Sequence, residues 1–156
     1  MLLLAALLPN LAQAATKPAQ LPVDISADSL EIRQQTGIAQ FQKNVVVTHG
    51  GMILKADMLE AHYVGGGVKQ DELSGNIDYV QASGNLQINL KDGETVTADK
   101  ATYKPASKLL ILSDNVVLTR GGSSLRGSSL TYDLAGGIAN LKSDLKQGVS
   151  ATLRAE

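Results

Sequence analysis

The chain has no cysteine and no tryptophan, one phenylalanine and four tyrosines. Without cysteine it can be neither a disulfide-stapled scaffold nor a thiolate metal site. Its fold must rest on backbone ladders and apolar burial. Aromatic residues make up only 3% of the chain, although β-proteins usually draw on rings to fill their cores. Aliphatic side chains must do that work, which implies a narrow core or an interior that something else helps to fill. Neither sign of charge dominates: 14 basic and 15 acidic residues leave a net charge of −1. A nucleic-acid binder held by bulk charge is thereby excluded. Helical periodicity is missing too, for no stretch after the first fifteen residues repeats apolar positions every 3.6.

One apolar run is present. "MLLLAALLPNLAQAA" opens the chain and contains Ala12-Gln13-Ala14, the small-x-small pattern of a secretory cleavage site. The run is well short of the ~20 residues that span a membrane. Residues 1–14 are expected to be a cleaved signal peptide, and 15–156 a single exported domain.

A doubled phrase organises the rest. "NVVVTHGG" (44–51) returns as "NVVLTRGG" (115–122). Laying 25–51 on 96–122 needs no gap, and eight of 27 positions are identical, among them Ala27/Ala98, Asp28/Asp99 and Asn44/Asn115. A finer unit lies inside: "ADSLEI" (27–32), "ADMLEA" (56–61), "ADKATY" (98–103) and, more weakly, "GSSLTY" (127–132). A Gly-rich polar insertion at 64–78 separates the second copy from the third. Units of this size cannot each bury an apolar face alone, so stacking them must make the core. Apolar and polar residues alternate in "VDIS", "NLQINL" and "ETVTA", as in half-buried strands. Turn signals recur at short intervals: "QQTG", "HGG", "KDG", "KPAS", "RGGS" and "LAGG". The pattern predicts a many-stranded antiparallel sandwich or roll. Alternation slips at each Ala-Asp pair: Val23, Ile25 and Ala27 are odd-numbered, Leu30 and Ile32 even. A bulge or corner is therefore expected at Asp28, Asp57 and Asp99.

No catalytic constellation emerges. His49 aligns with Arg120 in the other repeat, an exchange that suits an exposed polar site rather than a base. His62 stands alone, and two histidines in unlike settings do not make a metal centre. No serine lies in a Gly-x-Ser-x-Gly elbow. The "GGG" at 65–67 has no Lys-Ser/Thr after it to make a phosphate loop. Neither a catalytic residue nor a metal or cofactor is expected. A binding or scaffolding role remains. Ile and Val walls could line a slot for acyl chains, or they could pack only on one another.

Together, "I-x-A-D-x-L", "F-x-x-N-V-V-V", Gly-Gly, "L-K-A-D-x-L", "A-S-G-N-L-Q-I" (82–88) and "L-x-L-S-D-N-V-V-L" (110–118) resemble the OstA-like domain family of lipopolysaccharide-transport proteins. The resemblance covers about residues 21–142. Lys43 and Asp114 depart from it, standing where the family writes Gly before Asn-Val; Gly84 keeps that glycine. The resemblance implies an open antiparallel β-jellyroll in the periplasm with lipid A acyl chains in its interior. It also implies copies stacked head-to-tail into a bridge that carries lipopolysaccharide from inner to outer membrane. The implied partners are lipopolysaccharide, the chain itself, and β-jellyroll domains of the inner- and outer-membrane components. The strands "LPVDIS" (21–26) and "GVSATL" (148–153) would offer the unprotected edges.

By position in the family pattern, Val23 and Ile25 face the groove. Alternation adds Leu30, Ile32, Phe41, Val45, Val47, Leu54 and Leu59 from the first half. From the second half it adds Leu86, Ile88, Tyr103, Leu110, Leu112, Val116, Leu118, Leu125, Leu130 and Tyr132. Lys55 and Arg126 are repeat-related candidates for anionic head groups, with a solvated surface as the simpler reading. A competing role is a structural adaptor, or the OstA-like domain of another component of the same pathway, pairing strand edges without holding lipid.

Overall fold

The computed structural model describes residues 23–65, 77–143 and 148–153. The segment expected to be a signal peptide and most of the 64–78 insertion lie outside them. Ten strands follow in chain order: β1 (Val23–Ser26), β2 (Ser29–Arg33), β3 (Ile38–His49), β4 (Met52–Tyr63), β5 (Ile77–Asn89), β6 (Thr95–Lys104), β7 (Leu109–Arg120), β8 (Ser123–Asp133), β9 (Ile138–Lys142) and β10 (Ser150–Thr152). There is no helix among the described residues. Every pairing is antiparallel, and neighbours in sequence are neighbours in the sheet from β3 to β8. One edge is β1 followed by β2, both on β3; the other is β9 followed by β10, both on β8. The two edges do not pair with each other among the described residues, so the sheet is an open antiparallel β-jellyroll rather than a closed barrel.

The doubled phrase is a strand end with its turn. His49 pairs with Met52 across Gly50-Gly51, whose φ angles of 55° and 87° suit the two-residue hairpin.

A belt of bulges crosses the sheet at mid-height. Asp57 of β4 faces two residues on β3, Lys43 and Asn44, where the register shifts between Gln42 and Val45. Further shifts fall between Ser83 and Leu86 on β5 and between Ser113 and Val116 on β7. The extra residues are in the left-handed region: Lys43 and Asn44 (φ 63° and 50°), Gly84 and Asn85 (77° and 44°), Asp114 and Asn115 (65° and 53°). Lys43 and Asp114 thus hold the conformation that Gly84 adopts without strain, at about 1–2 kcal/mol for a residue with a Cβ. Each Asn is clasped by the Asp of a neighbouring unit: Asn44 Nδ2 donates to Asp28 (2.9 Å), Asn85 to Asp57 (2.7 Å) and Asn115 to Asp99 (2.7 Å). The parity slip expected at the Ala-Asp pairs is present: Leu54 and Ala56 are buried before Asp57, Leu59 and Ala61 after it. Strands β3, β5 and β7 absorb the mismatch with two left-handed residues each and keep their parity.

The fourth unit departs from this scheme. Ser128 replaces the Asp, and its Oγ donates to the Lys142 carbonyl (3.2 Å). Gly127 sits where the other units write Ala. A Cβ there would lie 2.6 Å from that same carbonyl oxygen, so the end of β9 approaches too closely for alanine.

Candidate functional site

Because paired residues share a face, the register defines the inner wall row by row. On the β1 and β10 side of the belt, one row runs Ile25, Val47, Leu54, Ile88, Val96, Leu118 and Leu125. The next is Val45, Ala56, Leu86, Ala98, Val116 and Gly127. On the β2 and β9 side the rows are Leu30, Phe41, Leu59, Ala82, Ala101, Leu112, Leu130 and Leu141, then Ile32, Ala39, Ala61, Val80, Tyr103, Leu110, Tyr132 and Ala139. Strands that are not hydrogen-bonded neighbours bring no Cα atoms within 8 Å of each other. The walls therefore meet only through side chains, as in two stacked sheets.

The apolar residues singled out in the sequence share the inward parity of this wall, at different depths. Val45, Val47, Leu54, Leu59, Leu86, Ile88, Leu110, Leu112, Val116 and Leu130 are buried. Ile25, Ile32, Phe41, Tyr103, Leu118, Leu125 and Tyr132 are half-buried. Val23 and Leu30 share the inward parity but sit on edge strands, 48% and 43% exposed. Val96 and the alanines at 39, 56, 61, 82, 98 and 101 are also buried wall residues that sequence reasoning missed. Val96 occupies the Ile25 slot of the repeat, so alignment of the repeats could have found it. Alanine is too weakly apolar to declare a face. Tyr63 was missed because it lies one alternation beyond the repeated unit.

Lys55 and Arg126 point the other way. They share an outer row with Val46, Gln87, Thr97 and Val117, and both are exposed. They do not face the interior. The outer surface also carries a polar network: Gln40, only 8% exposed, donates to Glu60 Oε1 (2.7 Å) and accepts from Gln42 (2.7 Å) and Arg33 (3.3 Å). His62 stacks on Tyr79, with ring centroids 4.2 Å apart. Its Nε2 lies 3.5 Å from Glu60 Oε2, too far for a hydrogen bond. Arg120, in the slot of His49, pairs with Glu94 at 3.2 Å. Among the described residues no three His, Cys, Asp or Glu side chains gather to hold a metal ion.

The inner wall is thus a hydrophobic surface whose two edges do not pair with each other among the described residues. A family model described as LptA/(LptD N-terminal domain) LPS transport protein matches residues 24–137. The lipopolysaccharide export system protein LptA of Haemophilus influenzae is 28% identical over 118 residues, 72% of this chain and 65% of that protein. LptA of Escherichia coli K12 is 28% identical over 132 residues, 83% of this chain and 68% of that protein. The chain thus spans about two thirds of the length of these curated relatives. The crystal structure of LptH, described as the LptA-homologous periplasmic component of the lipopolysaccharide transport device of Pseudomonas aeruginosa, has the same fold. Its TM-score is 0.68 at 18% identity, over 86% of this chain and 96% of that one. With its clasped repeats, its open sheet and a family match over most of its length, this chain belongs to the LptA/(LptD N-terminal domain) LPS transport protein family.

Proposed function

We propose that this chain is a non-enzymatic periplasmic carrier that holds the acyl chains of lipopolysaccharide against its inner wall. Copies stack head-to-tail, and with the β-jellyroll domains of membrane-bound partners they form a bridge between inner and outer membranes. The observation that carries this reading is the apolar wall running between two edges that do not pair with each other among the described residues. A closed core needs no open edge. An open edge leaves unpaired backbone groups that another strand can satisfy. The edges are also unlike in sequence: β1 and β2 form one, and β9 and β10 the other. A contact between unlike ends does not close on itself and grows a filament.

Acyl chains would enter by separating the walls. Eight large wall side chains, Leu112 and Ile88 among them, are less than 2% exposed because they pack on one another. This packing also favours a second reading, an adaptor whose filled core holds nothing. Ile25→Asp separates the two. Ile25 is half-buried on an edge strand, so the sheet should survive the change, as circular dichroism would show. The carrier reading expects co-purified lipopolysaccharide with the unaltered chain and its loss in the variant. A folded variant that retains lipopolysaccharide sinks the assignment of the wall. An unaltered chain that never carries it supports the adaptor.

A further inference from the structure

The five aromatic side chains of the sequence, Phe41, Tyr63, Tyr79, Tyr103 and Tyr132, all lie on the β2 and β9 side of the belt. Tyr79 is on the outer surface beside His62; the other four line the interior. Between the rims, the described inner wall is otherwise aliphatic, Ala or Gly. Tyr63, Tyr103 and Tyr132 are therefore its only hydrogen-bonding side chains. Tyr103 and Tyr132 flank Leu110 in a single row. Neither makes a side-chain hydrogen bond within the described residues, and both are half-buried. Burial raises the Tyr63 and Tyr103 phenols above their ordinary range, keeping them as neutral O–H donors.

A purely apolar wall can hold a hydrocarbon chain but cannot fix its position, since dispersion and burial have no direction. A phenol at the wall can, because its O–H needs an acceptor when a ligand displaces water. The geometry points to the Tyr103–Tyr132 row as the register point of the groove. There the two phenols donate hydrogen bonds to the linkage carbonyls, ester or amide, of an acylated amphiphile, and its methylene chains run into the aliphatic β1 and β10 side. This deepens the carrier reading above and rests on it.

The test uses the full chain and two fluorescent amphiphiles with the same head group and chain length, one ester-linked and one ether-linked. The ether lacks the carbonyl oxygen that projects from the linkage toward the wall, so only the ester should sense the phenols. Y103F and Y132F keep ring volume, and thermal melting confirms that each variant folds. The unaltered chain should prefer the ester. Each single variant should weaken ester binding roughly 2- to 10-fold, the double variant more, and neither should alter ether binding. Binding of ester and ether with equal affinity, or double-variant binding equal to that of the unaltered chain, overturns the register point and leaves the carrier reading intact. Failure of the unaltered chain to bind either amphiphile overturns both.

Discussion

The two halves of the sheet, on either side of the bulge belt, share strands, turns and repeat units but not side chains. The β1 and β10 half is lined between belt and rim by Val, Leu, Ile, Ala and Gly127, with Met52 packed at its end. The β2 and β9 half holds the wall's Phe and Tyr rings and has buried alanines in the same rows at 39, 61, 82 and 101. On its outer surface it also carries the Gln40 network and the His62–Tyr79 stack. One backbone scheme, repeated, therefore produces a uniform slot at one end and an aromatic, partly polar end at the other. Architecture comes from what the units share, and direction along the groove from where they differ.

The sharpest way to break the comparison is to excavate each half separately. Ile88→Ala on the aliphatic side and Leu112→Ala on the aromatic side should each cost about 2–5 kcal/mol, because both side chains are fully buried. Urea denaturation should show a single transition for both if the halves share one core. Two transitions in either variant would mean that they fold independently. Next in size is Gly127→Ala, which restores the repeat's alanine but drives a Cβ into the Lys142 carbonyl. A loss of about 1–3 kcal/mol is expected from overpacking, with faster amide exchange confined to β9 and β10. An unchanged melting temperature would show that this edge yields freely.

A smaller effect is expected at the belt. Asp57→Ala removes the acceptor of Asn85. Because the clasp is exposed, the loss should be about 0.5–1.5 kcal/mol, and the equivalent Asp99→Ala should match it. A larger loss at one site would show that the units are not equivalent. The smallest effect is on alkaline stability. The Tyr63 and Tyr103 phenols titrate above their ordinary value in the folded chain, through burial. Their contribution is fully present below the unfolded-state value of about 10 and is lost as pH rises through the folded values. The double change Y63F/Y103F should flatten the fall in stability above pH ~10. An alkaline slope identical to that of the unaltered chain would contradict the burial assigned to these rings.

Much of this fold was legible because the chain repeats itself. The parity slip at Ala-Asp is written in the odd and even positions of Ile25, Leu30 and Ile32, and the structure places the belt there. The partner of each Asp was not legible. Asn44 recurs at the same spacing as Asp28, but nothing in a linear pattern says that one side chain reaches the other across the sheet. Gly127 likewise looks like a weak repeat until the end of β9 is seen beside it. Alternation identified most of the large wall residues, missing Val96 and Tyr63, and passed over the alanines, whose face is decided by their neighbours. Lys55 and Arg126 were repeat-related without facing the groove, since alternation there puts both on the outer surface.

The central claim is that the inner wall, and not the outer surface, meets lipid. A photo-reactive amino acid placed in turn at Ile88 and Leu112 on the inner wall, and at Thr97 and Val117 on the outer surface, tests it directly. Purified chains would be irradiated with lipopolysaccharide and probed for adducts. The carrier reading predicts adducts at Ile88 and Leu112 and none at Thr97 or Val117. Adducts at the outer positions alone, or at none of the four, would contradict it.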